Sequence, residues 1–152
     1  MKTRAYTMTM EEFNDQRHAL LSPPETVGVM ILFTGDRVSC CDEVVALEIE
    51  GAIDVAFATI SPEGEDYSGK PDIVALYTLP RFRQQGYGRA VLEAAIRRCM
   101  ERGFGGVGIN VLSSHVRRMI EKLSEDLKAF LVVVDHGENT FEDLERSRKE
   151  ES

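Results

Sequence analysis

The chain has 152 residues, of which 43% are hydrophobic, a composition that suits one folded domain with its own core and excludes a disordered class. Its 26 acidic and 18 basic side chains leave a formal charge of -8, which argues against nucleic acid or an anionic membrane as partner and suits a cationic substrate. Three cysteines with Cys40 and Cys41 adjacent make no disulfide framework, the polar N-terminus lacks a signal-peptide core, and no apolar run approaches membrane-spanning length, so reduced thiols and a cytoplasmic setting are expected.

Residues 2–7 read as a short first strand. Thr9-x-x-Glu12 has capping-box spacing, and Phe13, Arg17, Leu20 and Leu21 fit the helix that follows. Ser22-Pro23-Pro24-Glu25 ends that helix and caps whatever comes next. The stretch 27–33 is ambiguous, because its β-branched content favours a strand while the Ser cap, early prolines and Gly35 favour a helix. Segments 44–50 and 53–60 flank Gly51-Ala52 as a β-hairpin, with Val45, Leu47 and Ile49 on one face and Glu48 and Glu50 on the other. The Gly-, Pro-, Ser- and acid-rich stretch 61–71 is a loop.

Residues 73–79 are apolar and β-prone, and Pro80 stops them. A basic, amide-rich loop follows, then an amphipathic helix from about 87 to 102. Its apolar face carries Val91, Leu92, Ala95, Ile96 and Cys99, and Gly103 ends it. Residues 107–112 form a strand, and Ser113 or Ser114 caps a helix striped by Val116, Met119, Ile120 and Leu123. Residues 128–134 contain a last apolar strand. The alternation makes the fold mixed α/β: a single domain over 1–136 with a charged tail at 137–152.

The stretch 73–89 organises the rest. Arg83, Gly86 and Gly88 give R-x-x-G-x-G between a strand and a helix. It is neither the G-x-G-x-x-G dinucleotide fingerprint nor a P-loop with its Gly-Lys-Ser/Thr ending. A glycine-bearing loop that runs into a helix N-terminus aims backbone N–H groups at one point and suits phosphate. Together with Leu76-Tyr77-Thr78 before it and the long helix after it, the pattern resembles the acyl-CoA pyrophosphate loop of the GNAT superfamily of N-acetyltransferases.

That resemblance implies a central mixed sheet splayed at the cofactor site, with helices on both faces. It places a second helix at 27–33. It makes acetyl-CoA the cofactor, with Leu76, Tyr77 and Thr78 pairing their backbone with the pantetheine arm. Arg83, Gln84, Gln85, Gly86, Tyr87, Gly88 and Arg89 would cradle the pyrophosphate. Ser113 stands where an asparagine commonly helps to hold the cofactor. The implied reaction is direct attack of a primary amine, on a small molecule or a peptide, upon the acetyl thioester, with a base to take the amine's proton.

Asp72 stands four residues before Leu76, where the histone-type enzymes carry a glutamate base, and the strand period puts it on one face with Val74, Leu76 and Thr78. Glu48 and Glu50 are the alternative bases. The tyrosine acid of the family is replaced by Ile120, leaving Tyr77, Tyr87 or His115 to substitute. Ile120 also raises the alternative of a non-catalytic acyl-CoA-binding module. The family's usual last strand and its Gly-Phe pair after the fourth helix are missing, and an unpaired final strand favours a homodimer by edge pairing. No metal is expected, since His18, His115 and His136 lie far apart in sequence and Cys40-Cys41 lacks ligand spacing.

Overall fold

In the computed structural model the described residues are 2–20, 38–50, 53–111 and 113–135. The 27–33 segment, Gly51-Ala52 and the tail from 137 lie outside them.

Strand β1 (Thr3–Thr9) turns directly into helix α1 (Met10–Leu20). The junction is the reciprocal capping box: Glu12 N–H donates to Thr9 Oγ1 at 3.0 Å, and Thr9 N–H donates to Glu12 Oε1 at 3.1 Å. Next come β2 (Glu43–Ile49), β3 (Ile53–Ser61) and β4 (Asp72–Thr78), each antiparallel to the strand before it. A 3-10 turn (Pro80–Phe82) leads to α2 (Tyr87–Glu101), then β5 (Val107–Val111), α3 (Ser114–Glu121), α4 (Glu125–Phe130) and β6 (Leu131–Asp135). The six strands lie side by side in chain order, with β4–β5 and β5–β6 parallel, since the intervening helices carry the chain back across the sheet. No described helix is long and apolar enough to cross a membrane.

Both faces of the central strands are buried. On one, Val45, Leu47 and Ile49 of β2 join Val91, Leu92 and Ile96 of α2. On the other, Val44, Ala46 and Phe57 pack under Phe13 of α1, whose ring meets Phe57 edge-on at 5.4 Å. The face of β2 on which Glu48 lies is thus largely covered. Helix α2 ends in a Schellman arrangement, with Gly103 N–H bonded to Met100 O and Phe104 N–H to Cys99 O.

One element was not foreseen and one expectation is corrected. The strand foreseen within 128–134 is Leu131–Asp135, and a short helix, Glu125–Phe130, precedes it unannounced. Its start signal is Ser124 followed by Glu125 and Asp126, and Leu127 is its buried anchor, but six residues are too few for a helical period to show. The correction concerns β4. Ala75 faces Thr59 and Ile73 faces Ile60, so Val74 is an extra residue in the ladder, a bulge. Alternation slips there: Ile73 and Leu76 both pack on the α2 side, while Val74 and Ala75 both face α1. Asp72 therefore does not share a face with Leu76 and Thr78.

The bulge lies beside the main irregularity of the sheet. β4 and β5 pair only at Asp72–Gly108 and Ile73–Ile109. Beyond that point the two strands part, with the open end toward Thr78.

Candidate functional site

At the open end Pro80 halts β4, and the chain tightens into the 3-10 turn, with Phe82 N–H bonded to Leu79 O. Arg83 folds back on this turn. Its Nε donates to Thr78 O at 3.0 Å and its guanidinium lies 5.4 Å from the Tyr77 ring centre. The next residues curl through left-handed backbone at Gln84 (φ 64) and Gly86 (φ 85), a conformation that glycine adopts without strain and glutamine adopts at a cost. Gly86 is the N-cap of α2 and offers no capping side chain; the first intrahelical bond runs from Ala90 N–H to Gly86 O at 3.1 Å. The N–H groups of Gly88 and Arg89, in the first turn, therefore have no carbonyl within the helix to bond, and the helix dipole adds positive potential there.

Gly88 faces the opposite wall closely. A Cβ there would stand 3.1 Å from Met119 Sδ and 3.3 Å from Thr78 Oγ1. That wall is α3, started by Ser113, whose Oγ accepts from Val116 N–H at 3.2 Å. Between β4, the curl, the start of α2 and α3 lies a cleft of about 620 Å³.

Leu76, Tyr77, Thr78, Arg83, Gln84, Gly86, Gly88, Arg89 and Ser113 all line this cleft; Gln85 and Tyr87 do not. Tyr87 instead packs in the core, edge-on to Phe82 at 6.3 Å. Asp72 stands away from the cleft lining, at the last paired rungs of β4 and β5. Its Oδ2 accepts from Glu65 N–H at 3.0 Å, and a Cβ on Gly108 would collide with its Oδ1. Glu48 is engaged by Arg4 at 2.6 Å on the β1 edge, and Glu50 N–H bonds Lys2 O, so neither is brought to the cleft. Ile120 turns toward the core, while His115 lines the cleft.

Sequence reasoning missed Arg118, Met119 and Lys122 as lining residues. The sequence signals only a shared helix face: His115, Arg118, Met119 and Lys122 recur at i, i+3 and i+4 spacing after the Ser113 cap. They complete a notable charge arrangement. Arg83, Arg89, Arg118 and Lys122 line the cleft, and no aspartate or glutamate does so among the described residues, in a chain of net charge -8. Glu93 approaches Arg89 at 3.7 Å from one turn along α2, outside the lining.

A strand that parts from its neighbour, a curl rich in left-handed backbone and a helix N-terminus facing a cationic wall match a known family. The family model described as Acetyltransferase (GNAT) family aligns with residues 8–124. The chain belongs to the GNAT acetyltransferase family. As a GNAT enzyme it is an N-acetyltransferase that takes its acetyl group from acetyl-CoA.

Solved structures share the fold at low identity. The ribosomal-protein-alanine N-acetyltransferase from Brucella melitensis biovar Abortus 2308 matches with a TM-score of 0.55 at 12% identity, over 81% of this chain and 91% of that one. The ribosomal-protein-S18-alanine N-acetyltransferase from Escherichia coli matches with a TM-score of 0.52 at 19% identity, over 81% and 77%. The AAC(6')-Iy structure, a complex with a CoA-containing bisubstrate analog, matches with a TM-score of 0.52 at 14% identity, over 82% and 92%. At such identities the likeness is one of fold. No curated protein matches the GNAT chain by sequence.

Proposed function

We propose that this GNAT enzyme holds acetyl-CoA in the cleft between β4 and α3 and acetylates a primary amine of a small molecule or a peptide. The observation that carries the reading is the clustering of Arg83, Arg89, Arg118 and Lys122 around a cleft without a lining carboxylate, where β4 and β5 have parted. The backbone from Arg83 through Gln84, Gln85, Gly86, Tyr87 and Gly88 to Arg89 would hold the diphosphate through N–H groups, with the two left-handed residues supplying the curl. Arg118 and Lys122 add counter-charge from the other wall. Leu76, Tyr77 and Thr78 present main chain toward the gap, where an amide-bearing pantetheine arm would take the place of a strand. Ser113 uses its hydroxyl to cap α3, so its help to the cofactor would come from its place at the rim. The cofactor supplies an acetyl thioester that an amine can attack.

Structural neighbours include enzymes named for ribosomal-protein alanine and an aminoglycoside acetyltransferase in complex with sisomicin. Peptides with an N-terminal alanine and polycationic aminosugars are therefore the first acceptors to try, and the chain's charge of -8 favours cationic ones. In this reading the catalytic domain is 1–136 and the charged tail 137–152 lies outside it. Val132, Val133 and Val134 are exposed on β6, which supports a homodimer by edge pairing. Cys40, Cys41 and Cys99 form no disulfide, which fits a reducing, cytoplasmic setting.

The test is isothermal calorimetry with CoA, followed by thioester consumption with the amine panel. The Arg118→Glu/Lys122→Glu double variant is expected to lose CoA affinity by tenfold or more while keeping its melting temperature. Wild-type protein that takes up no CoA would refute the cleft assignment.

A further inference from the structure

The face of the sheet opposite α2 carries a built arrangement at the apex of the gap. Val107 and Ile109 of β5 pack on the α2 side, so Gly108 and Asn110 point to the other face. Asn110 is the first β5 residue past the last β4–β5 rung, Ile73–Ile109. Its Nδ2 donates to Glu65 Oε2 at 2.7 Å. Glu65 belongs to the 61–71 loop that precedes β4, so its side chain crosses from the β3–β4 connection to β5 at the point where the sheet opens. The loop is held for this reach. Glu65 N–H is bound by Asp72 Oδ2 at 3.0 Å, Gly64 N–H by Ser61 Oγ at 2.9 Å, and Gly69 N–H by Glu63 O at 2.9 Å. A side chain at 108 would displace the Asp72 carboxylate, so Gly108 leaves it room.

An acetyl group delivered between β4 and β5 from the cleft has the cofactor on its α2 and α3 side. The attacking nitrogen must come from the other face, where the Glu65 carboxylate sits. We infer that Glu65 is the carboxylate that takes the proton of the acceptor amine, with Asn110 and Asp72 as positioning residues. This rests on the cleft assignment above. The ammonium gives one proton to the Glu65 carboxylate, directly or through one water. The neutral nitrogen then bonds the thioester carbonyl carbon, and the C–S bond breaks. The second nitrogen proton goes to the departing thiolate, and Glu65 releases its proton to solvent. The acceptor amine therefore meets a carboxylate as it arrives, which also favours a cationic acceptor.

The test uses full-length wild type, Glu65→Gln, Glu65→Asp and Asn110→Ala. With acetyl-CoA and the best amine of the panel, Glu65→Gln is expected to lose kcat roughly 10²- to 10⁴-fold. Its CoA affinity, read by calorimetry, should stay within threefold of wild type. The deficit should shrink to less than tenfold with a primary amine that is already neutral at the assay pH. Glu65→Asp is expected to recover part of the rate, and Asn110→Ala to lower kcat with little change in KM. Glu65→Gln that keeps a third or more of wild-type kcat overturns the inference. A crystal structure of the CoA complex gives a second readout that needs no turnover. A sulfur within one water of the Glu65 carboxylate supports the assignment, and a sulfur elsewhere, or Glu65 swung to bulk solvent, overturns it. Wild type that binds CoA while these tests fail removes only Glu65; wild type that binds no CoA removes the cleft as well.

Discussion

Gly88 and Gly86 serve the same cleft for different reasons, and two substitutions separate them. A side chain at Gly88 meets Met119 Sδ and Thr78 Oγ1, so Gly88→Val fills the cleft and is expected to lower CoA affinity at least tenfold by calorimetry. At Gly86 a Cβ meets nothing within 4 Å, but the backbone is left-handed at φ 85. Gly86→Ala is expected to cost about 1 kcal/mol of stability, seen as a drop of a few degrees in melting temperature. Both glycines were legible from their spacing with Arg83. Arg118 and Lys122 were not, because their motif is a helix face, and a face becomes a wall only when another element stands opposite.

Tyr6 and Asp54 make a buried polar pair on the β1–β3 side, with the Tyr6 hydroxyl donating to Asp54 Oδ2 at 2.5 Å. Burial raises the Asp54 carboxyl above its ordinary value near 3.8; the Tyr6 hydroxyl pulls it back, the Glu48 charge adds to the rise and Arg4 offsets it. Asp54 is 7% exposed, so its proton is held more tightly in the folded chain than in the unfolded one. Stability drawn from that preference is complete below the ordinary value and lost as pH rises through the raised one. Tyr6→Phe removes the pull downward and leaves a buried carboxylate short of a donor. Urea denaturation at pH 7 is expected to show a loss of roughly 1.5–3 kcal/mol. The two proteins should converge as the pH falls toward the ordinary carboxylate range.

Among the described side chains of α1, Phe13 is the one buried against the sheet. Phe13 is 1% exposed and stacks edge-on against Phe57. Phe13→Ala is expected to destabilise by about 3–5 kcal/mol in chemical denaturation. The Thr9-x-x-Glu12 box and the Phe13 position announced this helix in the sequence, since capping and apolar spacing are local. The α2 helix, with Gly103 at its end, was legible for the same reason. The bulge at Val74 was not: every residue from 73 to 76 is apolar, and a run without polar punctuation does not show where alternation slips. Glu65 was hidden for a related reason. It sits in a loop whose composition says only that it is a loop, and its reach to Asn110 spans 45 positions of sequence.

Taken whole, the GNAT molecule carries two of its three thiols inside. Burial pushes Cys41 and Cys99 up to about 12 and leaves little thiolate at neutral pH. A thiol reagent added to the native protein is expected to titrate Cys40 at most, and all three cysteines only in denaturant, so a free-thiol assay of CoA release carries a small background. The β6 edge is the other whole-molecule feature. Val134 is 47% exposed and, among the described residues, β6 has a strand partner only on its β5 side. On the proposed edge-paired homodimer, Val134→Lys is expected to lower the dimer fraction in sedimentation velocity without altering acetyl transfer. The order of strands was readable from hydrophobic runs, but which edge stayed open depended on where the last strand landed, and the short α4 concealed that.

The two-rung contact between β4 and β5 leaves a seam in the sheet. Main-chain protons near Leu76 and Thr78 lie beyond the last β4–β5 rung, and in deuterium oxide they are expected to exchange faster than those of β2 and β3. If the acyl carrier closes the seam as a seventh strand, CoA will slow exchange there selectively, and the enzyme will be most tightly knit while it is loaded.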